Sequence, residues 1–388
     1  MLPLIEAIGA IALVGYINLI KIIRYKQNHK LVFIMKLNQV ISAIKQTLII
    51  SLITFGMTEV TFRIYSQINP TFIFYDSSYN RYRGKPSSPD YGGKLNSRGF
   101  KGAEYTQAKP ANTYRIVSLG DSFAFGVVPS QYNYNSRIER QLNRKLTDKG
   151  KQFQVINMGI PGIGPRDYLA LLANEGVQLN PDMVIISLFI GNDILEAEKV
   201  LDKKREWYTY SYVLSFFNYV IEVQKKYEGK IYGGKSGYDD QRPTIEAQKF
   251  LDIQTGRAQI LLKNDPDYLA AFSSQIEYLK QIKKICDSKN IKLLVVMIPD
   301  ENQVNPELQQ QVIAKWQATP QQIDIRQPNQ ALANTFTAQS IPYIDLLDTF
   351  LAQSKQENLY KPRDTHWNIA GNRVAAQAIT PKIIEQMK

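Results

Sequence analysis

Four short polar motifs in this sequence hold the residue types needed for acyl transfer through a serine. That chemistry requires a nucleophile, a base, a group that orients the base, and hydrogen-bond donors for the oxyanion. The motifs are Gly120-Asp121-Ser122, the stretch from Asn157 to Gly162, Gly191-Asn192-Asp193, and the stretch from Asp364 to Asn368. Each alone is typical of an ordinary loop, and Ser122 alone could be a helix cap. Their joint occurrence favours a catalytic site.

A nucleophile, a base and an orienting acid each have one candidate. Ser122 follows an apolar run and opens a helical stretch, which projects its hydroxyl to where helix N–H groups favour negative charge. Apart from His29 near the N-terminus, His366 is the only histidine, so an imidazole base in the later part of the chain must be this residue. Asp364, two residues earlier, can hold the other ring nitrogen and fix its tautomer.

Two further residues are candidate oxyanion donors. Asn192 offers a side-chain N–H, and the alternative, which we weigh less, is that Asn192 and Asp193 only form a turn after a strand. Gly162 lets a backbone N–H approach a substrate without a Cβ in the way. Gly159 competes with Gly162 for this role.

Strands and helices that could position these residues alternate from Tyr114 onward. Five apolar runs predict strands, namely 114–119, 153–157, 183–189, 291–298 and 342–347. Continuous Val, Ile and Leu runs are typical of parallel strands that are buried on both faces. Helices are predicted at 133–148, 166–178, 267–289, 306–317 and near 369–387. The alternation predicts an α/β fold with a doubly wound, mostly parallel five-stranded sheet, whose strand carboxyl ends gather the four motifs.

The four motifs resemble the four blocks of the SGNH (GDSL-type) hydrolase superfamily. The resemblance makes Ser122 both the nucleophile and an oxyanion donor, and it makes Gly162 and Asn192 the other two oxyanion donors. It assigns His366 and Asp364 to the last block. It covers residues 114–388 and implies a serine esterase that hydrolyses an acyl ester, expected to be O-acetyl, through an acyl-enzyme intermediate.

The last block departs from the usual pattern of that superfamily, because only Thr365 separates Asp364 from His366. The form Asp-Thr-His-Trp resembles the alginate O-acetyltransferase-like branch, as does the fragment VVMIPDENQV at 295–304. An O-acetyltransferase acting on a cell-surface or exported polysaccharide is therefore an alternative. A third possibility, of a different class, is a catalytically inactive glycan-binding or assembly scaffold.

Residues 1–65 are predicted to form a membrane anchor with one or two transmembrane helices. The apolar segments Leu2–Ile23 and Gln46–Ile64 each have about the length needed to cross a bilayer core. Between them, Lys21 to Lys45 contains six Lys or Arg residues and no acidic residue, as expected of a cytoplasmic loop. Glu59, near the end of the second segment, is expected at the membrane interface. The competing interpretation is a buried hairpin of a soluble protein.

The rest of the chain is then exported. Residues 66–112 are predicted to be a loop-rich linker with a short hairpin, and 113–388 to be the catalytic domain. An aromatic-rich insertion after the third strand spans about 195–265. The anchor and the LNSRGF stretch of the linker resemble membrane-tethered members from bacteria. The expected location is the cytoplasmic membrane of a bacterium, with the catalytic domain in the periplasm.

Composition excludes several other classes of protein. The net charge of +12 is spread along the chain, which is typical of a solvated surface and not of a nucleic-acid-binding stripe. The single cysteine excludes an intramolecular disulfide, and the two histidines exclude a multi-histidine metal site. No Gly-rich phosphate loop with a lysine is present. The expected partners are therefore the lipid bilayer and an ester or glycan substrate, with no metal or cofactor.

Overall fold

The structure is a computed structural model that describes residues 32–68, 84, 86–91, 93–146, 150–194, 210–224, 238–263 and 266–388. The predicted first transmembrane segment, Leu2–Ile23, lies outside the described residues, as do long parts of the predicted insertion. The chain divides into two compact units. One comprises Met1–Ile68 and Ser211–Leu214, and the other Asn69–Tyr210 and Ser215–Lys388.

The first unit is built on one long helix, α1 (Val32–Ile68). Its segment Gln39–Tyr65 is long and apolar enough to cross a membrane, and none of its 18-residue apolar window is buried. Within the part of the chain that the structure describes, no other helix meets the same criteria. Length and composition thus allow this helix to anchor the chain, although a signal sequence has the same properties.

The second unit contains the predicted five-stranded parallel sheet. A short antiparallel hairpin, β1 (Pro89–Asp90) with β2 (Gly93–Lys94), precedes it. The sheet strands are β3 (Thr113–Gly120), β4 (Gln152–Asn157), β5 (Met183–Phe189), β6 (Lys292–Ile298) and β7 (Tyr343–Asp345). Their order is β4-β3-β5-β6-β7, and each neighbouring pair is parallel. All five predicted strands are confirmed.

Helices connect these strands, and all five of the helices predicted from the sequence are present. They are α2 (Ser122–Phe125), α3 (Tyr134–Lys145), α4 (Pro165–Asn174), α5 (Tyr212–Gln224), α6 (Ala247–Arg257), α7 (Pro266–Ser288), α8 (Glu301–Val304), α9 (Pro306–Trp316), α10 (Gln327–Ala338), α11 (Leu347–Gln353) and α12 (Ile369–Met387). Helix α10 is among those not predicted from the sequence, because only Pro328, Asn329, Leu332 and Phe336 of its residues are buried and the rest of its pattern is polar.

The sheet is covered on both faces, which confirms the doubly wound fold. Alternate residues of β6 point to opposite sides: Val295 belongs to one buried apolar cluster and Val296 to the other. Helices α4, α7 and α10 contribute to the first cluster, and α3, α11 and α12 to the second. Burial on both faces explains why the sequences of the sheet strands are continuous apolar runs.

The strand order places a crevice between β3 and β5. From β3 the chain first crosses to β4 on one side and then returns to β5 on the other, so the winding direction reverses at this point. In such sheets ligands bind at the switch point, beyond the carboxyl ends of the strands. Ser122 follows β3 and Asn192 follows β5, so both predicted site residues flank this crevice.

Candidate active site

Ser122 is the first residue of α2, immediately beyond the carboxyl end of β3. The fully buried Asp121 caps this helix, since its Oδ1 accepts a hydrogen bond of 2.8 Å from the Phe123 N–H. The Asp121 carbonyl also accepts from the Phe125 N–H at 3.0 Å. The aspartate of the first motif therefore fixes the turn, which leaves the serine hydroxyl partly exposed at the sheet edge.

The structure brings Ser122, His366 and Asp364 into one hydrogen-bonded chain. His366 Nε2 lies 2.8 Å from Ser122 Oγ, and His366 Nδ1 lies 2.9 Å from Asp364 Oδ1. Asp364 is buried, whereas the serine and the histidine are partly exposed. In this geometry an imidazole can take the serine proton at one nitrogen while a carboxylate holds the other.

Thr365, the single residue between Asp364 and His366, adopts an unusual backbone conformation. Thr365 has a φ of 71°, in the left-handed region that β-branched residues rarely enter and that costs about 1–2 kcal/mol. This turn brings His366 Nδ1 to 3.0 Å from the Asp364 carbonyl as well as to the Asp364 carboxylate. The Lys361 N–H holds the loop by donating to the His366 carbonyl at 2.9 Å.

Asp364 is held in its ionised form. Burial by itself would raise the pKa of its carboxyl. That effect is outweighed by hydrogen bonding and charge interaction with His366, by a hydrogen bond from Thr244 and by the charge of Lys361. Together these lower the pKa from 3.8 to about 2. The carboxylate can therefore stabilise a protonated imidazole at neutral pH.

Two of these partners, Lys361 and Thr244, were not predicted from the sequence. The Lys361 ammonium lies 3.4 Å from Asp364 Oδ2 and donates to Thr244 Oγ1 and, at 3.2 Å, to the Arg242 carbonyl. Lys361 lies three residues before Asp364, so a positive charge close to the acid could have been recognised in the sequence. Thr244 belongs to the predicted insertion, and its N–H donates to the Pro362 carbonyl at 3.2 Å. The end of the insertion thus forms part of the site.

Aromatic rings support the imidazole. The Phe123 ring lies 5.2 Å from the His366 ring and 4.2 Å from the Phe189 ring, measured between centroids. The fully buried Trp367 packs edge-on to Phe123 at 5.1 Å and stacks on Phe350 at 4.9 Å. Dense packing of this kind restricts the rotamer of the histidine, which is what a preorganised base requires.

The structure distinguishes the two glycines of the second motif. The Gly159 N–H donates to Asn157 Oδ1 at 2.9 Å, and a Cβ on Gly159 would lie 2.3 Å from the Phe125 backbone nitrogen. Gly159 therefore serves close packing against α2. Gly162 is exposed, has a φ of 77° and has open space around it. Its N–H makes no hydrogen bond within the described residues. Asn157 also ties this loop to α2, since its Nδ2 donates to the Ala124 carbonyl at 2.7 Å.

Asn192 lies in a loop that a buried carboxylate fixes. Asp193 Oδ2 accepts from the Tyr168 hydroxyl and from the Phe189 N–H, both at 2.9 Å. Asn192 itself is 6% exposed. The aspartate of the third motif therefore holds the end of β5, as Asp121 holds the end of β3.

A buried lysine attaches the β1–β2 hairpin beside the site. Lys101 Nζ lies 2.9 Å from Asp90 Oδ2 and donates to the carbonyls of Gly126 and Val128, each at 2.7 Å. All three of its N–H groups therefore have acceptors. Gly126 directly follows α2, so the predicted linker contributes to fixing the segment that carries Ser122. This role of Lys101 was not predicted from the sequence.

A separate groove lies along the outer edge of β4. It encloses about 320 Å³ and is lined by residues 152–157 together with Lys101 to Tyr105, Glu139 and Asn143. Ser122, His366 and Asp364 do not line this groove and instead lie together beyond the carboxyl end of β3. Among the described residues, no group of three or more His, Cys, Asp or Glu side chains is placed to hold a metal ion.

The C-terminal part of the chain matches a known protein family. Residues 256–388 match the family described as the SGNH hydrolase-like domain of the acetyltransferase AlgX. The resemblance to SGNH hydrolases is confirmed. We conclude that the chain is an enzyme, a serine hydrolase or an O-acyltransferase, whose C-terminal part is SGNH hydrolase-like. The matched segment contains Asp364 and His366, whereas Ser122, Gly162 and Asn192 lie before it.

Solved structures of several esterases are similar to this chain at low sequence identity. An acetyl xylan esterase, AlAXEase, is 16% identical, with 69% of this chain and 99% of that chain covered and a TM-score of 0.40. A lipase/acylhydrolase from Enterococcus faecalis is 17% identical, covering 70% and 96%, with a TM-score of 0.38. The acetylxylan esterase Axe2 from Geobacillus stearothermophilus is 14% identical, covering 70% and 94%, with a TM-score of 0.37. No curated protein matches the sequence.

Proposed function

We propose that this protein is a serine esterase of the SGNH type that hydrolyses an acyl ester, with O-acetyl as the expected group. The observation that carries the proposal is the continuous hydrogen-bonded chain from Asp364 through His366 to Ser122, with contacts of 2.9 and 2.8 Å. A binding protein has no need of these three groups in this arrangement, which favours an enzyme over an inactive scaffold.

The first half of the proposed reaction acylates Ser122. His366 Nε2 takes the hydroxyl proton as Ser122 Oγ attacks the ester carbonyl carbon, and the Asp364 carboxylate stabilises the resulting imidazolium. The tetrahedral oxyanion accepts hydrogen bonds from three donors, the backbone N–H groups of Ser122 and Gly162 and the Asn192 amide. The carbon–oxygen bond to the alcohol then breaks, and the alcohol leaves with the proton from His366.

The second half releases the acyl group. A water molecule attacks the acyl carbon while His366 accepts its proton, and the bond to Ser122 Oγ breaks as the serine regains that proton. Acetic acid is then the product of an O-acetyl ester. No cofactor takes part in this scheme.

An O-acetyltransferase is the second candidate, supported by the match of residues 256–388 to the AlgX acetyltransferase family and by the form of the last motif, Asp364 to Trp367. In that case a sugar hydroxyl of a cell-surface or exported polysaccharide replaces water in the second half-reaction. The acetyl group is conserved, moving from Ser122 to the acceptor oxygen as the acceptor proton passes to His366.

The enzyme is proposed to act at the outer side of the cytoplasmic membrane of a bacterium. Support comes from α1, whose segment Gln39–Tyr65 could span the bilayer, and from the basic stretch Lys21 to Lys45, which begins before that segment and ends in its first turns. Positive charge at the N-terminal end of a transmembrane helix favours retention of that end in the cytoplasm. The chain after α1 is therefore exported to the periplasm. The bilayer and an ester or glycan are the proposed partners.

Partitioning of the acyl group between water and sugar tests the proposal. The full chain in detergent is given p-nitrophenyl acetate, with and without an oligosaccharide acceptor, and nitrophenol, acetate and acetylated sugar are measured. Hydrolysis predicts acetate equal to nitrophenol whatever the acceptor concentration. Transfer predicts acetylated sugar at the expense of acetate. Equal nitrophenol release from wild type and Ser122→Ala would remove both candidates and favour the scaffold.

A further inference from the structure

Helix α5, within the predicted insertion, exposes an apolar side. Tyr210 just before it is 63% exposed, Phe217 is 49% exposed and Ile221 is 56% exposed. Phe217 and Ile221 are one helical turn apart and so share a face, and Leu214 continues that stripe toward Tyr210. The run from Tyr210 to Ile221, YSYVLSFFNYVI, contains no charged residue. Such a surface calls for a partner.

The first turn of α5 is held by α1. The Glu59 carboxylate of α1 accepts hydrogen bonds from the Tyr212 and Val213 N–H groups, each at 3.0 Å, and from Ser211 Oγ at 2.8 Å. The first N–H groups of a helix have no partner within the helix, and an acid at this end also interacts favourably with the helix dipole. Glu59 thus caps α5 from another helix, while Arg63 Nε donates to Glu59 at 2.8 Å.

The position of Glu59 along α1 sets the depth at which α5 begins. Gln39–Tyr65 has 27 residues and is therefore about 40 Å long, against about 30 Å for a hydrocarbon core. With this segment centred in the bilayer, Leu52 lies at the midplane and Glu59 lies about 10 Å from it, or about 5 Å inside the core boundary. A carboxylate at this depth is costly unless it is paired, and Glu59 has Arg63 and the α5 donors as partners.

We propose that α5 lies in the membrane interface, with Tyr210, Phe217 and Ile221 among the lipid headgroups and the first part of the acyl chains. The inference rests on the proposed span of α1 and assigns a second lipid contact to the same bilayer. An uncharged run of this length is too short to cross the core and fits an interfacial helix, whose apolar face is buried by about 5–10 Å. Tyrosine is also favoured at this level.

Site-specific fluorescence quenching tests this lipid contact. Cys286 is the single cysteine and is buried, so an introduced cysteine can be labelled selectively with a nitrobenzoxadiazole dye. The full chain carrying Phe217→Cys or Ile221→Cys is reconstituted in phosphatidylcholine vesicles with and without doxyl-labelled lipid. Leu52→Cys, in the span, and Lys145→Cys, at the exposed end of α3, are the matched controls. Gel filtration in detergent checks that each variant folds like the parent chain.

The inference predicts that doxyl lipid lowers the fluorescence at positions 217 and 221 severalfold, as at Leu52, and leaves Lys145 unchanged. Quenching at Leu52 with none at 217 and 221 would overturn the inference. The apolar face of α5 would then contact water or protein, although α1 still spans the bilayer. Absence of quenching at Leu52 as well would remove the span and the inference together. Neither result depends on whether the enzyme hydrolyses or transfers acyl groups.

Discussion

His366 Nε2 lies 2.8 Å from Ser122 Oγ, although the two residues are 244 positions apart in the chain. The contact joins the first turn after β3 to the loop before α12, so it exists only when the sheet is assembled. Its length is within the range for proton transfer between a nucleophile and its base. Packing and charge hold the two residues together, so substitutions at several surrounding positions should change activity or stability.

The first prediction concerns the pH dependence of stability. The carboxyl of Asp364 has a pKa of about 2 in the fold against an ordinary 3.8. An acid whose pKa is lowered on folding stabilises the fold above its ordinary pKa, and that contribution is lost as the pH falls through the folded value. Asp364→Asn should therefore reduce the free energy of unfolding by about 2 kcal/mol at about pH 6, and by little at about pH 2.

Urea unfolding of wild type and Asp364→Asn at the two pH values measures this difference. A cost of the substitution that stays constant with pH would contradict the assigned environment of the carboxylate, because it would show that the effect does not come from ionisation.

The second prediction concerns Lys361, which positions Asp364 and does not touch the serine. Lys361→Met removes a charged donor 3.4 Å from the carboxylate but keeps the backbone bond to the loop. We expect kcat to fall by about 10-fold with KM unchanged, because the lost interaction supports the imidazolium formed in the transition state. Lys361→Arg retains the charge and should recover part of the rate. Equal losses in both variants, or a change in KM alone, would argue against this role.

The third prediction separates the two glycines of the second motif. Gly159→Ala places a methyl group against the α2 backbone, so we expect about 1–3 kcal/mol of destabilisation together with a large loss of activity. Gly162→Ala has room for the methyl group and should cost about 1–2 kcal/mol, from its left-handed backbone alone. Unfolding midpoints and nitrophenol release measure both. Greater destabilisation by Gly162→Ala than by Gly159→Ala would reverse the assignment.

The fourth prediction concerns the buried pair of Lys101 and Asp90, whose side chains are 1% and 2% exposed. Lys101→Met leaves a buried carboxylate without its partner, which typically costs about 3–5 kcal/mol. The matched control is Lys109→Met, which breaks a pair with Asp182 whose side chains are 21% and 32% exposed and should cost at most about 1 kcal/mol. Adding Asp90→Asn to Lys101→Met should restore part of the stability. Similar costs for the two lysines would show that the hairpin is not fixed by this pair.

The sequence was sufficient for the sheet and for the order of the site motifs. Strands such as β5 and β6 are buried on both faces, so their apolar runs are continuous and their ends are clear. Polar residues placed directly after those ends then had to share the crevice at one edge of the sheet. The sequence also shows that a single residue separates Asp364 from His366, although the left-handed backbone of that residue, Thr365, was not predicted.

The missing parts depend on contacts between distant segments. Thr244 reaches Asp364 only because the insertion folds back to the loop before α12, and no local pattern encodes that return. Lys101 appeared as one more basic residue in a loop-rich linker, whereas the fold buries it on two backbone carbonyls. The helix α10 was missed because its packing, and not its periodicity, makes it helical.

The most direct test of the central claim is the mass of the acyl-enzyme. The full chain is mixed with p-nitrophenyl acetate and quenched in acid within the first turnovers, and its peptides are analysed by mass spectrometry, with Ser122→Ala and His366→Ala in parallel. The account predicts one acetyl group on Ser122 in the wild type and none at position 122 in either variant. An acetyl group on another residue, or nitrophenol release that survives in Ser122→Ala, would contradict it.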